Sequence, residues 1–172
     1  MRVFLAVSIP RFELAEALME EIGRIPYSKP VKTPEFHLTF RFFGEVSPKY
    51  VETLKEGLSA TPFRKFALKV KGIGAFPSIR KANVLYLDVE NSHAIEENAN
   101  LSAQITPVVK DNRPFVPHIT VSRFNRPADC TALAKKYEGI SYEQEIQKIT
   151  IYESTLMGTG PIYTQLKSFQ LK

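Results

Sequence analysis

The sequence predicts an α+β fold: a bilobal, duplicated architecture in which two antiparallel sheets flank a central cleft, with helices outside and an approximate twofold axis between the halves. Three observations predict it. Stretches with strand-like alternation are separated by stretches with helical apolar spacing, and hairpin-like returns replace the regular crossovers of a doubly wound parallel sheet. The order of elements in the first half recurs in the second at an offset of about 81 residues. Each half also carries a histidine followed two residues later by a threonine, in His37-Leu38-Thr39-Phe40 and in His118-Ile119-Thr120-Val121. Residues 1–172 are therefore expected to form a single bilobal domain.

Taken in order, Arg2 to Ser8 is a β-rich strand ended by Pro10, and Phe12 to Ile22 carries helical spacing at Leu14, Ala17, Leu18 and Ile22. Phe36 to Phe43 alternates as a strand. Ser47-Pro48 then opens a helix through Leu58, with serine placed to cap it and proline at its first position. Phe66 to Ile73 and Val84 to Val89 read as strands flanking a Gly74-Ala75-Phe76-Pro77 loop. In the second half, Val84 to Asp88 aligns with Val3 to Val7, Ser92 to Ile105 with the first helix, and Ala128 to Tyr137 with the helix from Ser47. Gln147 to Ser154 aligns with the strand from Phe66, and Gly158-Thr159-Gly160-Pro161 reads as a turn between two strands.

The chain has 172 residues, 44% of them hydrophobic, which is enough apolar material for one compact body. No apolar run approaches the roughly 20 residues that cross a bilayer, and the opening residues lack the apolar core and cleavage site of a signal peptide, so a soluble cytoplasmic protein is expected. The single cysteine, Cys130, excludes an intrachain disulfide and a cysteine-rich zinc site, and reads as a buried or half-buried filler. A net charge of +5 suits an anionic partner such as nucleic acid.

In a strand, residues two apart share a face, so His37 and Thr39 point together, as do His118 and Thr120. Two such strands related by a twofold axis present two imidazoles and two hydroxyls to a common cleft. That set suits in-line displacement at phosphorus. A neutral imidazole takes a proton from the attacking oxygen, a protonated one gives a proton to the departing oxygen, and threonine hydroxyls donate to non-bridging phosphate oxygens. A lone H-x-T is usually structural. Two of only three histidines falling in register in a duplicated unit is a stronger signal. His93, outside any such motif, reads as a surface residue. Zinc fails on ligand count, with Glu35 expected to point away from His37 or to sit one residue off its face, and no cofactor is expected. No nucleophile elbow or Gly-rich phosphate loop is present.

At this point the chain resembles the two-histidine phosphoesterase superfamily, specifically its RNA 2′,3′-cyclic phosphodiesterase branch, also called the 2′-5′ RNA ligase family. The resemblance spans essentially the whole chain. It is carried by Arg2-Val3-Phe4-Leu5-Ala6-Val7, by His37 through Val46, by Gly72 to Pro77, by Pro117-His118-Ile119-Thr120-Val121-Ser122-Arg123, and by the closing Tyr152-Glu153-Ser154 through Tyr163. It implies hydrolysis of a terminal 2′,3′-cyclic phosphate to a 2′-phosphomonoester, with 2′-5′ ligation as the reverse reaction. It implies His37 as proton donor to the leaving 3′ oxygen and His118 as base for water, roles that the near-mirror-image motifs leave open by themselves. Thr39 and Thr120 carry over as phosphate-binding residues. Arg123 matches a family arginine near the substrate, although strict alternation turns it away from His118 unless a bend restores it. Arg41 stands where the family often has lysine, and alternation places it on the face of His37 and Thr39. Phe42, Phe43, Phe76 and Phe124 are candidates for stacking on a base.

The expected partner is an RNA end or a nucleotide bearing a 2′,3′-cyclic phosphate, bound by a monomer away from any membrane. The competing class is a non-catalytic module that recognises RNA ends or a nucleotide in the same cleft. A third option is a phosphodiesterase for another cyclic or 2′-5′-linked nucleotide.

Overall fold

The apolar run Val3–Val7 forms the middle of β1 (Arg2–Pro10), and its near-continuous burial shows a strand covered on both faces. In the computed structural model, which describes residues 1–105 and 113–172, there follow α1 (Glu13–Gly23), β2 (Ser28–Pro30), β3 (Glu35–Glu45), α2 (Pro48–Ala60) and β4 (Phe66–Pro77). The second half supplies β5 (Ala82–Val89), α3 (His93–Gln104), β6 (His118–Ala128), α4 (Thr131–Lys136), β7 (Ser141–Ile146), β8 (Lys148–Met157) and β9 (Gly160–Gln170).

All strand pairs are antiparallel, in one sheet ordered β3-β1-β8-β9 and another ordered β2-β6-β5-β4-β7. The two orders superpose: β1 and β5 are equivalent central strands, β3 and β6 their histidine-bearing neighbours, and β8 and β4 their neighbours on the other side. β4 belongs to the first half in sequence yet lies beside β5, while β8 from the second half lies beside β1. Each half therefore gives two strands to the sheet of the other, β2 and β4 in one direction and β8 and β9 in the other, and neither sheet can be completed by one half alone. The buried cluster that runs through the molecule accordingly draws on both sheets, from Leu5, Phe36 and Ile151 to Leu85, Ile119 and Leu68.

Ser47 caps α2, its hydroxyl accepting from the Tyr50 backbone N–H at 3.1 Å, and Ser92 caps α3 by accepting from Ile95 at 3.2 Å. Asn98 of α3, fully buried, accepts from the Arg64 N–H at 2.7 Å and donates to the Arg64 carbonyl at 2.8 Å, which ties the helix to the approach to β4.

Several expectations are corrected. The buried face of α1 is Ala15, Leu18, Met19 and Ile22, whereas Leu14 and Ala17 face solvent. Gly74 to Pro77 is not a loop: it continues β4 and pairs with β5, Gly74 opposite Tyr86 and Phe76 opposite Val84. α4 is shorter than the expected Ala128 to Tyr137. The alignment of the central strands also slips by one residue, because Ala6 faces Thr39 and Tyr86 faces Thr120, making Ala6 rather than Leu5 the counterpart of Tyr86. A slip of one residue exchanges the two faces of a strand, so the difference decides which side chains meet the histidines.

Candidate active site

On β3, Phe36, Leu38 and Phe40 are buried while His37 and Thr39 are half-buried on the other face. β6 repeats this with Ile119 and Val121 buried and His118 and Thr120 half-buried. Residues directly opposite in an antiparallel pair share a face. His37 thus lies beside Ser8 and Thr39 beside Ala6, while His118 lies beside Asp88 and Thr120 beside Tyr86.

Beyond the threonines, both strands bulge at equivalent places. Thr39 pairs with Ala6 but Arg41 pairs with Leu5, leaving Phe40 as the extra residue; Thr120 pairs with Tyr86 but Ser122 pairs with Leu85, leaving Val121 extra. Each bulge reverses the alternation. Arg123 therefore returns to the face of His118 and Thr120, opposite Val84, which is the bend its position required. The same geometry removes Arg41 from the His37 face and corrects the expectation that placed it there. Its guanidinium lies 5.7 Å from the centre of the buried Phe43 ring and within the electrostatic reach of Tyr50 on α2. Phe42, not Arg41, is the counterpart of Arg123.

Each histidine stands edge-on among aromatic rings. His37 meets Tyr152 at 5.0 Å and 86°, Tyr163 at 5.1 Å and Phe4 at 6.3 Å between ring centres. His118 meets Phe76 at 5.0 Å and 87°, and Tyr86 at 5.3 Å. Tyr152 and Phe76 occupy matching places, opposite Phe4 and Val84 on the two central strands. Gly74 completes the second cage, because a Cβ there would overlap the Tyr86 ring, and only glycine lets that ring lie across β4.

The two imidazoles differ electrostatically. Burial among rings pushes His37 down from 6.5 to about 4, since the charged form loses hydration with no compensating partner among the described residues. His118 donates from Nδ1 to the Val116 carbonyl at 2.7 Å, which leaves Nε2 of the neutral ring as an acceptor. Burial raises the Tyr163 phenol, with Arg123 and Arg2 opposing, so the field of Arg123 reaches the ring that contacts His37. Tyr163 thus links Arg123 and His37, although the two stand on different sheets.

Of the stacking candidates, Phe43 and Phe124 are core residues and Phe76 supports His118. Phe42 is 67% exposed and lies against Phe4 at 5.8 Å. The tyrosines around His37 and the Val116 carbonyl escaped sequence reasoning; the only signal was that Tyr152 and Tyr163 lie in the closing segment of the resemblance. Glu35, two residues from His37 on β3, shares its face, and the expectation that it points away was mistaken. Among the described residues no three His, Cys, Asp or Glu side chains are grouped to hold a metal. His93 is at the surface, 94% exposed and 3.7 Å from Glu97.

The profile of the LigT-like phosphoesterase family matches residues 9–86, which include the first histidine motif. A protein of Thermus thermophilus has the same fold, with a TM-score of 0.76 and 26% identity over 99% of this chain and 98% of that one. Escherichia coli LigT, solved with 3′-AMP, gives a TM-score of 0.74 and 25% identity over 99% and 97%. Interlocked sheets with a histidine-threonine strand in each thus define a LigT-like phosphoesterase. RNA 2′,3′-cyclic phosphodiesterases are similar over nearly full length, that of Aquifex aeolicus at 31% identity over 92% of this chain and 90% of that protein, and that of Methanocaldococcus jannaschii at 30% over 98% and 100%. The chain belongs to the RNA 2′,3′-cyclic phosphodiesterase family.

Proposed function

We propose that this protein hydrolyses the terminal 2′,3′-cyclic phosphate of an RNA to a 2′-phosphomonoester, without a metal, by proton transfers at His37 and His118. The observation that carries this reading is the pair of imidazoles on equivalent strands of two sheets, one with its tautomer fixed by a carbonyl and the other desolvated by aromatic rings. His118 Nε2 takes a proton from water as the water oxygen bonds to phosphorus. The bond from phosphorus to the 3′ oxygen breaks, and that oxygen takes a proton from His37. The product holds a 2′-phosphate and a 3′-hydroxyl, and exchange with solvent resets both rings.

His37 must be protonated to act as the acid, and its burial among the rings opposes this. The substrate supplies the remedy: a cyclic phosphodiester anion, held by Thr39, Thr120 and Arg123, brings a negative charge beside the ring and raises its affinity for a proton. Phe42 offers its open face to the terminal base. A 5′-hydroxyl in the place of water gives 2′-5′ ligation, which bulk water disfavours. All the groups come from one bilobal unit, so a cytoplasmic monomer suffices. The substrate class is supported by the names of the relatives and by the 3′-AMP bound to Escherichia coli LigT.

The test is incubation of EDTA-treated protein with nucleoside 2′,3′-cyclic phosphates and assignment of the product phosphate by phosphorus NMR. A 2′-phosphate is expected. Exclusive formation of the 3′-phosphate overturns the assignment of the leaving oxygen, and tight binding with no turnover points to a binding module instead.

A further inference from the structure

We infer that the RNA strand on the 5′ side of the terminal nucleotide leaves the cleft along the open edge of the second sheet, where Lys29 and Arg126 take its phosphates and Tyr27 stacks on a base. The inference rests on the reading that the substrate is an RNA end, and it narrows the substrate from a nucleotide to a polynucleotide terminus.

β2 is the outermost strand of its sheet, paired only with β6. Lys29 stands directly opposite Arg123, so it shares the face of Arg123, Thr120 and His118, one strand spacing of about 4.8 Å further out. The phosphate-facing row of the cleft thus continues to the edge of the sheet. Strand pairing persists one step past β2, the Asn125 N–H donating to the Tyr27 carbonyl at 3.0 Å. Tyr27 lies two residues from Lys29, about 7 Å along the chain.

Tyr27 has the wrong conformation and the wrong exposure for a structural tyrosine. Its φ of 65° is in the left-handed region that bulky side chains avoid, and no other non-glycine among the described residues has a positive φ. The residue is 52% exposed, yet its ring is held by the Arg126 guanidinium 4.6 Å from its centre. Local strain that presents a ring to solvent beside an arginine marks a ligand contact more readily than a packing contact. Lys29, Arg123 and Arg126 are all exposed, and among the described residues they enter no ion pair. Unpaired cations interleaved with an exposed aromatic ring, contiguous with a phosphate site, match the electrostatic and stacking needs of single-stranded RNA. A mononucleotide would leave all of this unused.

The test compares wild type with Tyr27→Ala/Lys29→Gln/Arg126→Gln on cytidine 2′,3′-cyclic phosphate and on an octaribonucleotide ending in the same group, at 50 and 200 mM salt. For the triple variant, kcat/KM on the mononucleotide should stay within about twofold. On the octamer it should fall roughly 10- to 100-fold, with the salt slope flattened by about 1.4 for two lost phosphate contacts. Equal losses on both substrates, or no loss on the octamer, overturn the inference. Lys29→Gln alone repeats the comparison at smaller amplitude if the triple variant melts early. If neither substrate is turned over by wild type, the reading of the cleft has failed. The edge is then read directly by anisotropy with an octaribonucleotide 3′-phosphate, which should still bind wild type at least 10-fold tighter than the variant; equal binding overturns the edge as well.

Discussion

Lowering the pH should destabilise this protein through His37 in particular. The ring titrates at about 4 in the folded chain against 6.5 ordinarily. Between those values the unfolded chain binds a proton that the folded chain excludes, so stability is intact above pH 6.5, declines as pH falls toward 4, and levels off below it. The gap corresponds, at about 1.4 kcal/mol per tenfold change, to about 3.5 kcal/mol, of which about 3 kcal/mol is lost by pH 4, where the folded ring is half protonated. His37→Phe keeps an aromatic ring against Tyr152 and Tyr163 but removes the titration. Urea unfolding of both proteins from pH 7.5 to 4 isolates the term, since their carboxylates are shared and cancel in the difference. The wild type should lose about 3 kcal/mol more than the variant over this window. Parallel curves would refute the argument that aromatic burial governs this ring. Inorganic phosphate at the lower pH values should return part of the loss to the wild type only, because an anion in the cleft favours the protonated ring.

Arg123→Gln should lower kcat/KM on a cyclic phosphate roughly 10- to 100-fold through loss of a charge-assisted phosphate contact, whereas Arg41→Gln should change it less than about threefold; steady-state kinetics on both variants check the two bulges. Gly74→Ala should displace the Tyr86 ring and with it His118, reducing kcat about 10-fold or more while costing about 1–3 kcal/mol of stability by urea unfolding. Asn98→Ala leaves the Arg64 N–H and carbonyl without their partner and should cost about 2 kcal/mol of stability by the same assay, with kcat unchanged.

The two histidines and their threonines were legible because alternation is a local property, and the offset between His37 and His118 repeats a unit whose strands do occupy equivalent places. Arg41 and Arg123 show where local reading stops. A bulge is a relation between two strands, visible only when Thr39 is seen opposite Ala6 and Arg41 opposite Leu5. Nothing in Phe40 or Val121 marks them as the extra residues. Gly74 misled for a related reason: a glycine before Phe76-Pro77 reads as a turn, but here it vacates space for a ring from the neighbouring strand. β2 has only three residues and β7 alternates polar Ser141, Glu143 and Glu145 with the half-buried Tyr142 and Gln144, so neither carries the apolar signature of a strand. Both lie at sheet edges, where short length and charge discourage pairing with other chains. The exchange of β4 and β8 between sheets could not be read at all, because the order of strands along the chain does not say which strands pair.

The most direct test of the central claim is the hydrolysis rate of a nucleoside 2′,3′-cyclic phosphate by His37→Ala and His118→Ala, repeated on an analogue with sulfur in place of the 3′ oxygen, whose thiolate leaves without a proton. Each variant should lose about 10²–10⁴-fold on the natural substrate, and the analogue should restore His37→Ala but not His118→Ala. A rate within tenfold of wild type for either variant on the natural substrate would contradict the two-histidine mechanism, and rescue of His118→Ala instead would contradict the roles given to the two rings.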